Sequence, residues 1–387
     1  MQRPALILGE RTISFEDLED RASRVQTVIE QAAPTGAAPV AVMLPNGIEF
    51  FEVTIAAARA ARHVVPVNWH LKAEELAWVL GDSGAEVLFV DTSLAGEVAP
   101  ALAANPAITT FEVGARSYEE EVARAAPAEG TSAPPHFVYY TSGTTGRPRG
   151  VEREGPAPDT RRLHGGLASM WGITADDVWL ACSPLYHAAN AYAFTTLFQG
   201  GTVVILERFD AREWIRQVER HRVTACFMVP AHFIRLLELP SEEWSAKDLS
   251  SLRLVLHAAA PCPVPVKWRI LDALAGVEIW EFYGASEGGA TRISPEEWRT
   301  HPGSVGKPWP GVEIAILDAG GRRCGPGEAG LVHIHPAGGA KFRYHNDPGK
   351  TEAAWREGAF TVGDVGYVDE EGYLYLTDRA SDMVIRG

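Results

Sequence analysis

An α/β fold of mainly parallel sheets, followed by a smaller all-β portion, is what the sequence predicts. Two observations carry that expectation. Through roughly the first 300 residues, short apolar runs alternate with segments of helical period, the pattern of strands covered by helices. Beyond about Pro302 the texture changes to short strands separated by Gly-rich turns such as Asp318 to Gly321.

The elements follow in order. SFEDLEDRASRVQTVI opens with Ser14 and places Asp17 three residues on. Leu18, Ala22, Val25 and Ile29 then recur at helical spacing, so a capped amphipathic helix is expected. VAVML (40–44), VVPV (64–67) and EVLFV (86–90) predict strands, with helices from Ile48 to Ala60 and around Glu74 to Leu80 between them. A Pro/Ala/Gly-rich stretch from Ala125 to Pro135 is the compositional break. The pattern resumes with strands HFVYY (136–140), VWLAC (178–182), TVVIL (202–206), TACFMV (224–229), RLVLH (253–257) and VEIWEFY (277–283). The last strands, VEIAIL (312–317), LVHIH (331–335) and YLYLT (373–377), predict a small antiparallel sheet or barrel.

Length and charge bound the function. The 387 residues allow two or three folding units at roughly 150 per domain. With 46% apolar and 22% charged residues, collagen, coiled coil and wholesale disorder are excluded. A formal charge of −15 disfavours nucleic acid and anionic lipid as partners, so an anionic ligand needs a local set of donors. The four cysteines, Cys182, Cys226, Cys262 and Cys324, form no CxxC pair and read as reduced thiols. Arg3, Glu10 and Arg11 interrupt the N-terminal apolar residues, and no run approaches the ~18 apolar residues of a membrane span, so a cytoplasmic protein is expected. His333 and His335 alternate on one strand without a third ligand at suitable spacing and are assigned no metal.

The strongest local signal follows HFVYY. Thr141-Ser142-Gly143-Thr144-Thr145-Gly146-Arg147-Pro148-Arg149-Gly150 puts four hydroxyls, three glycines and two guanidinium groups into ten residues. Glycines let backbone N–H groups turn toward a ligand, hydroxyls donate to phosphoryl oxygens, and arginine is a permanent forked cation. No Lys-Ser or Lys-Thr pair follows the glycines, which separates this anion cradle from the P-loop of ordinary ATPases.

YTSGTTGRPRG resembles the phosphate-loop signature of the adenylate-forming superfamily of acyl- and aryl-CoA synthetases, peptide-synthetase adenylation domains and luciferase. Further segments match in the family's order: PLYHAAN (184–190), HAAAPCP (257–263), EFYGASE (281–287), SVGKPWPG (304–311), YHNDPGKTEAAW (344–355), VGDVGYVDEEGYLYLTDR (362–379) and the terminal DRASDMVIRG. The resemblance implies two doubly wound sheet subdomains, about 1–130 and 131–300, and a distorted β-barrel subdomain over 301–378. Residues 379–387 then correspond to a hinge. The small C-terminal domain, with its lysine, is not in this chain, so a chain impaired in adenylation is expected.

The resemblance also implies a reaction and a site. A carboxylate attacks the α-phosphate of ATP, pyrophosphate leaves, and a thiol displaces AMP from the acyl-adenylate, a sequence that rests on positioning and charge neutralisation. Thr141, Ser142, Gly143, Thr144, Thr145 and Gly146 would hold the β- and γ-phosphates. Arg149 stands where lysine is usual, with the same charge and another geometry. Glu287 would bind Mg²⁺, and the Ser286 hydroxyl would reach the α-phosphate. Ala259, Ala260, Glu281, Phe282 and Tyr283 would receive the adenine, Tyr283 by stacking. Asp364 would accept both ribose hydroxyls, with Arg379 as a second contact. His187, Ala260 and Gly284 would line the acyl pocket and thiol path.

Peptide-synthetase domains place an aspartate just after the PLYH segment for the substrate amino group. Here Ala188, Ala189, Asn190, Ala191 and Tyr192 follow, so an apolar acyl or aryl acid is expected rather than an amino acid. Coenzyme A is the expected acceptor. A carrier-protein phosphopantetheine is the alternative within the enzyme class, and a non-catalytic nucleotide-binding relative, suggested by Arg149, Ser381 and the lysine not in this chain, is the alternative outside it. A homodimer is compatible with the sequence.

Overall fold

The computed structural model describes residues 3–33, 36, 38–130, 132–142, 147–153 and 160–379. They divide into two compact units, the first within 1–151, 156–209 and 217–224, the second within 152–155, 210–216 and 225–387. The expected hinge from residue 380 onward lies outside the described residues.

The first unit contains β1 (Pro4–Leu8), β2 (Arg11–Ser14), α1 (Phe15–Ala32), β3 (Val40–Met43), α2 (Ile48–Arg59), β4 (Val64–Pro66), α3 (Ala73–Ser83), β5 (Val87–Asp91), α4 (Ala95–Ala104), β6 (Thr109–Val113) and α5 (Arg116–Arg124). After the break come β7 (Tyr139–Ser142), β8 (Pro148–Arg153), α6 (Thr160–Trp171), β9 (Val178–Ala181), α7 (Asn190–Phe198) and β10 (Thr202–Ile205).

Helix α1 starts as its sequence dictates: Ser14 Oγ accepts the Asp17 amide at 3.0 Å, and the stripe Leu18, Ala22, Val25 and Ile29 is buried. Strands β4, β3, β5 and β6 form a parallel sheet in that order. All four side chains of β3 are at 0% exposure, which explains why VAVM is a continuous apolar run and not an alternating one. Leu76, Val79 and Leu80 of α3 pack into the same core. Strands β9, β10 and β1 pair in parallel, with β2 antiparallel beside β1. β1, β2 and β6 are not among the strands expected from sequence; pairing of β1 with β10 and β2, and of β6 with β5, makes them strands.

Helix α8 (Ala211–His221) leads into the second unit: β11 (Ala225–Met228), α9 (Pro230–Leu237), α10 (Ser241–Ser245), β12 (Leu254–His257), α11 (Val264–Ala273), β13 (Glu278–Ala285), β14 (Gly288–Ile293), α12 (Pro295–Thr300) and β15 (Lys307–Pro308). β11, β12 and β13 are parallel, while β14 and β15 continue antiparallel. The remaining elements are β16 (Glu313–Leu317), β17 (Gly330–His335), β18 (Phe342–Tyr344), α13 (Pro348–Ala354), β19 (Trp355–Arg356), β20 (Ala359–Phe360), β21 (Asp364–Val368) and β22 (Leu374–Arg379).

The α/β class and its parallel sheets are as expected, but the closing β portion is an open sheet, not the barrel anticipated. β17 pairs with β16, with β20 and with β21; β19 and β22 remain as outer strands among the described residues. β19 and β20 have two residues each, too little strand to carry the pairing round into a closed ring. Among the described residues no helix is long and apolar enough to cross a membrane.

Candidate active site

In the first unit, the strands flanking the anion loop form a hairpin in which Thr141 faces Arg149 and Ser142 faces Pro148. Gly143, Thr144, Thr145 and Gly146 lie outside the described residues, and of Ser142 only the backbone is described. Thr141 and Arg149 are half-buried.

Side chains that sequence reasoning did not single out hold both arms. On the entering strand, the Tyr139 hydroxyl donates to Asn190 Oδ1 at 2.7 Å, and the Tyr140 hydroxyl donates to Asp82 Oδ2 at 2.7 Å. Asn190 is buried and donates its Nδ2 to the Leu185 carbonyl at 2.8 Å. On the leaving strand, Trp78 Nε1 donates to the Pro148 carbonyl at 3.0 Å, and the Arg147 guanidinium lies 4.5 Å above the Trp78 ring. Helices α3 and α7 therefore anchor the two strands that flank the Gly-rich segment. His187 lies in the turn before α7 with its ring 4.4 Å from that of Tyr186, and packing of the ring away from water holds its pKa below the ordinary imidazole value.

In the second unit, EFYGASE runs along β13 and into β14. Ala285 pairs with Gly288, so Ser286 and Glu287 are the two residues of a tight hairpin turn, both half-buried. The register breaks between Tyr283 and Gly284. A Cβ at Gly284 would sit 2.9 Å from the Gly288 carbonyl oxygen, so the close approach of the two strands there requires glycine.

Alternation along β13 decides which side chains point together. Glu281 and Tyr283 are buried, and the intervening Phe282 is half-buried, with its ring 6.0 Å from Phe227 and 6.3 Å from Trp309. The Tyr283 hydroxyl donates to Asp364 Oδ2 at 2.7 Å, which brings two expected nucleotide contacts together although they are 81 residues apart. Asp364 is buried at the start of β21 and faces Arg379 across the β21–β22 pair; of Arg379 only the backbone is described. The Glu281 carboxylate is occupied by Lys267 at 3.4 Å, which leaves the backbone of Glu281 as its means of touching a ligand. Ala259 and Ala260 are exposed beyond the carboxyl end of β12.

Glu287 accepts a hydrogen bond at Oε1 from the Tyr344 hydroxyl at 2.8 Å. No group of three metal-ligating side chains occurs among the described residues. A single carboxylate is not a cation cage, but it is the donor set that Mg²⁺ takes when nucleotide phosphates and water fill the rest of its octahedron. The residues beside Tyr344 hold another acid: Arg343 Nε donates to Glu152 Oε2 at 2.7 Å and the His345 ring bonds Oε1. Burial alone would raise the Glu152 pKa, but the Arg343 and His345 bonds outweigh it and hold the carboxyl below its usual value.

That shift has a sign. A depressed folded-state pKa contributes stability above the unfolded value, and the contribution is lost as pH falls through the folded one. Wild type is therefore expected to be more stable than Glu152→Gln by about 1 kcal/mol at neutral pH, solvent screening included. Urea titrations should show the difference closing below the ordinary glutamate range.

The α/β fold with parallel sheets, and a loop rich in glycines and hydroxyls, fit an enzyme that handles nucleotides. The chain belongs to the AMP-binding enzyme family, whose model matches residues 1–341. It is 30% identical over 391 residues to 2-succinylbenzoate–CoA ligase of Bacillus pumilus (strain SAFR-032), covering 100% of this chain and 77% of that protein. It is also 30% identical over 401 residues to fatty acid–[acyl-carrier-protein] ligase ScoC of Streptomyces coeruleorubidus, covering 99% and 75%. Among solved structures, O-succinylbenzoate coenzyme A synthetase (MenE) from Bacillus subtilis, in complex with ATP and magnesium ion, superposes with a TM-score of 0.83 at 28% identity, covering 100% of this chain and 78% of that one.

Proposed function

We propose that this chain activates an apolar acyl or aryl carboxylic acid as its adenylate and passes the acyl group to the thiol of coenzyme A. The observation that carries this reading is the Tyr283–Asp364 hydrogen bond of 2.7 Å. It joins the residue suited to adenine with the carboxylate suited to both ribose hydroxyls. Family membership and the ATP–magnesium complex of the similar synthetase support it.

In the first step a carboxylate oxygen bonds to the α-phosphorus as the bond from that phosphorus to the bridging oxygen breaks, releasing pyrophosphate. Thr141 and Arg149, with the hydroxyls of the intervening loop, would donate to the β- and γ-phosphates. Ser286 would donate to the α-phosphate. Glu287 would hold Mg²⁺, which when bound would supply positive charge to the phosphates. In the second step the thiol sulfur bonds to the acyl carbon, AMP leaves with its phosphate oxygen, and the thiol proton is lost.

The acyl side is apolar by its residues. Ala188, Ala189 and Ala191 carry no polar side-chain group, and the Asn190 amide is spent on Tyr139 and Leu185, so no group there balances a substrate ammonium. A panel of fatty, aryl and amino acids in an ATP–pyrophosphate exchange assay tests this; exchange confined to amino acids would overturn it. A carrier-protein thiol is the second reading, favoured by the similarity to an acyl-carrier-protein ligase. Thioester formation with coenzyme A against phosphopantetheinylated carrier separates the two.

Tyr344 orients the Glu287 carboxylate by donating its hydroxyl to Oε1. Tyr344→Phe is expected to weaken Mn²⁺ binding in the presence of ATP about tenfold, the usual cost of removing a bond that orients a metal-bound carboxylate. Titration by electron paramagnetic resonance measures it.

A further inference from the structure

Three buried ionisable side chains of the second unit have no part in the roles above. His257, the last residue of β12, and Glu281 of β13 are direct neighbours across the parallel pair, and Lys267 of α11 reaches both. Lys267 Nζ bonds His257 Nε2, lies 3.4 Å from Glu281 Oε2 and 3.5 Å from the Ile279 carbonyl oxygen. His257 and Lys267 are at 0% exposure and Glu281 at 5%. The three N–H donors of one ammonium thus face three acceptors, with the Trp298 ring 5.7 Å away. Because Nε2 of His257 accepts, its proton sits on Nδ1, which has no hydrogen-bond partner among the described residues.

Position gives the cluster its meaning. From His257 the chain leaves the sheet as Ala258, Ala259 and Ala260, and Lys267 returns to His257 ten residues on, closing that turn. From Glu281 the chain runs directly into Phe282, Tyr283 and Gly284. Ligands of parallel sheets bind beyond the carboxyl ends of the strands, and here one side chain ties the carboxyl end of β12 to Glu281, the residue of β13 at which its parallel pairing with β12 stops. Ala259 has φ 72°, a left-handed conformation that an alanine keeps only where its surroundings impose it.

We propose that Lys267 is a positioning residue for the nucleotide: by bonding both members of the last parallel β12–β13 pair, His257 and Glu281, it holds the strained Ala258–Ala260 turn in the shape that receives adenine. The inference rests on the nucleotide reading above and deepens it. Burial pushes the Lys267 pKa down and that of Glu281 up, and each is opposed by the other's charge; burial holds His257 neutral, as an acceptor at Nε2 must be.

AMP binding by calorimetry tests it on the whole chain. Lys267→Met is expected to weaken AMP binding about tenfold, the cost of letting the turn relax by roughly one well-placed contact. Since it leaves a buried carboxylate unpaired, the companion Lys267→Met/Glu281→Met removes both charges and should fold with an apolar core. That pair should lose AMP affinity similarly at wild-type melting temperature. In an Ala259→Gly background, where the left-handed conformation carries no steric cost, Lys267→Met should cost clearly less affinity. A well-folded pair that binds AMP as wild type does, or an equal loss in both backgrounds, overturns the proposal. Asp364→Asn separates this from the underlying reading: if it too binds AMP normally, the nucleotide reading fails and takes the proposal with it.

Discussion

Replacing Glu287 with glutamine is expected to slow ATP–pyrophosphate exchange by about 100- to 1000-fold, the range seen when one preorganised electrostatic contact to a transition state is removed. The amide keeps the size of the side chain and still accepts the Tyr344 hydroxyl bond, so the hairpin turn and its packing persist. What disappears is the negative charge, and Mg²⁺ binds a neutral amide oxygen far less well than a carboxylate. The effect should fall on the step in which charge moves onto the leaving pyrophosphate, while AMP, which has no β- and γ-phosphates to share the metal, should bind as before. An exchange rate equal to that of wild type would remove Glu287 from the metal site.

The second large effect is expected at Asp364. Its carboxylate is the acceptor of the Tyr283 hydroxyl at 2.7 Å and has further lone pairs for the ribose hydroxyls. Asp364→Asn replaces one acceptor oxygen by a donor and removes the charge, which should cost about 1.5–3 kcal/mol of nucleotide binding, or roughly 10- to 150-fold. Tyr283→Phe removes the phenolic hydroxyl but keeps the ring, so its cost should be about 1 kcal/mol. Calorimetric titration with AMP, alongside melting curves, distinguishes lost recognition from lost folding; normal AMP affinity in Asp364→Asn would end the ribose assignment.

Much of the fold was legible because its strands are buried on both faces. VAVM, ACFM and LVLH are apolar without interruption, and the sheets they form need no polar alternation to be recognised. Local chemistry likewise announced α1 through Ser14 and Asp17. The short strands β19 and β20 announced nothing, since two residues have no period, and the open form of the last sheet follows from their brevity.

The candidate site divides in the same way. Glycines, hydroxyls and arginines crowded into ten residues point to an anion loop without help from the rest of the chain, because that chemistry is local. Lys267 left a fainter trace: it stands at helical spacing from Ile270, Leu271 and Leu274, on the face that is otherwise apolar, which marks a buried cation without naming its partners. Tyr344 left none.

By itself, then, the sequence determined the α/β class, the loop chemistry and the residue types available to nucleotide and metal. Only the tertiary structure decided that Tyr283 is bonded to Asp364, that Glu287 is held by Tyr344, and that one buried ammonium joins His257 of β12 to Glu281 of β13. The physical reason is separation along the chain. Hydrogen bonds bridging 81 and 57 residues depend on strand register, and register is set by the packing of whole sheets rather than by any neighbouring residue.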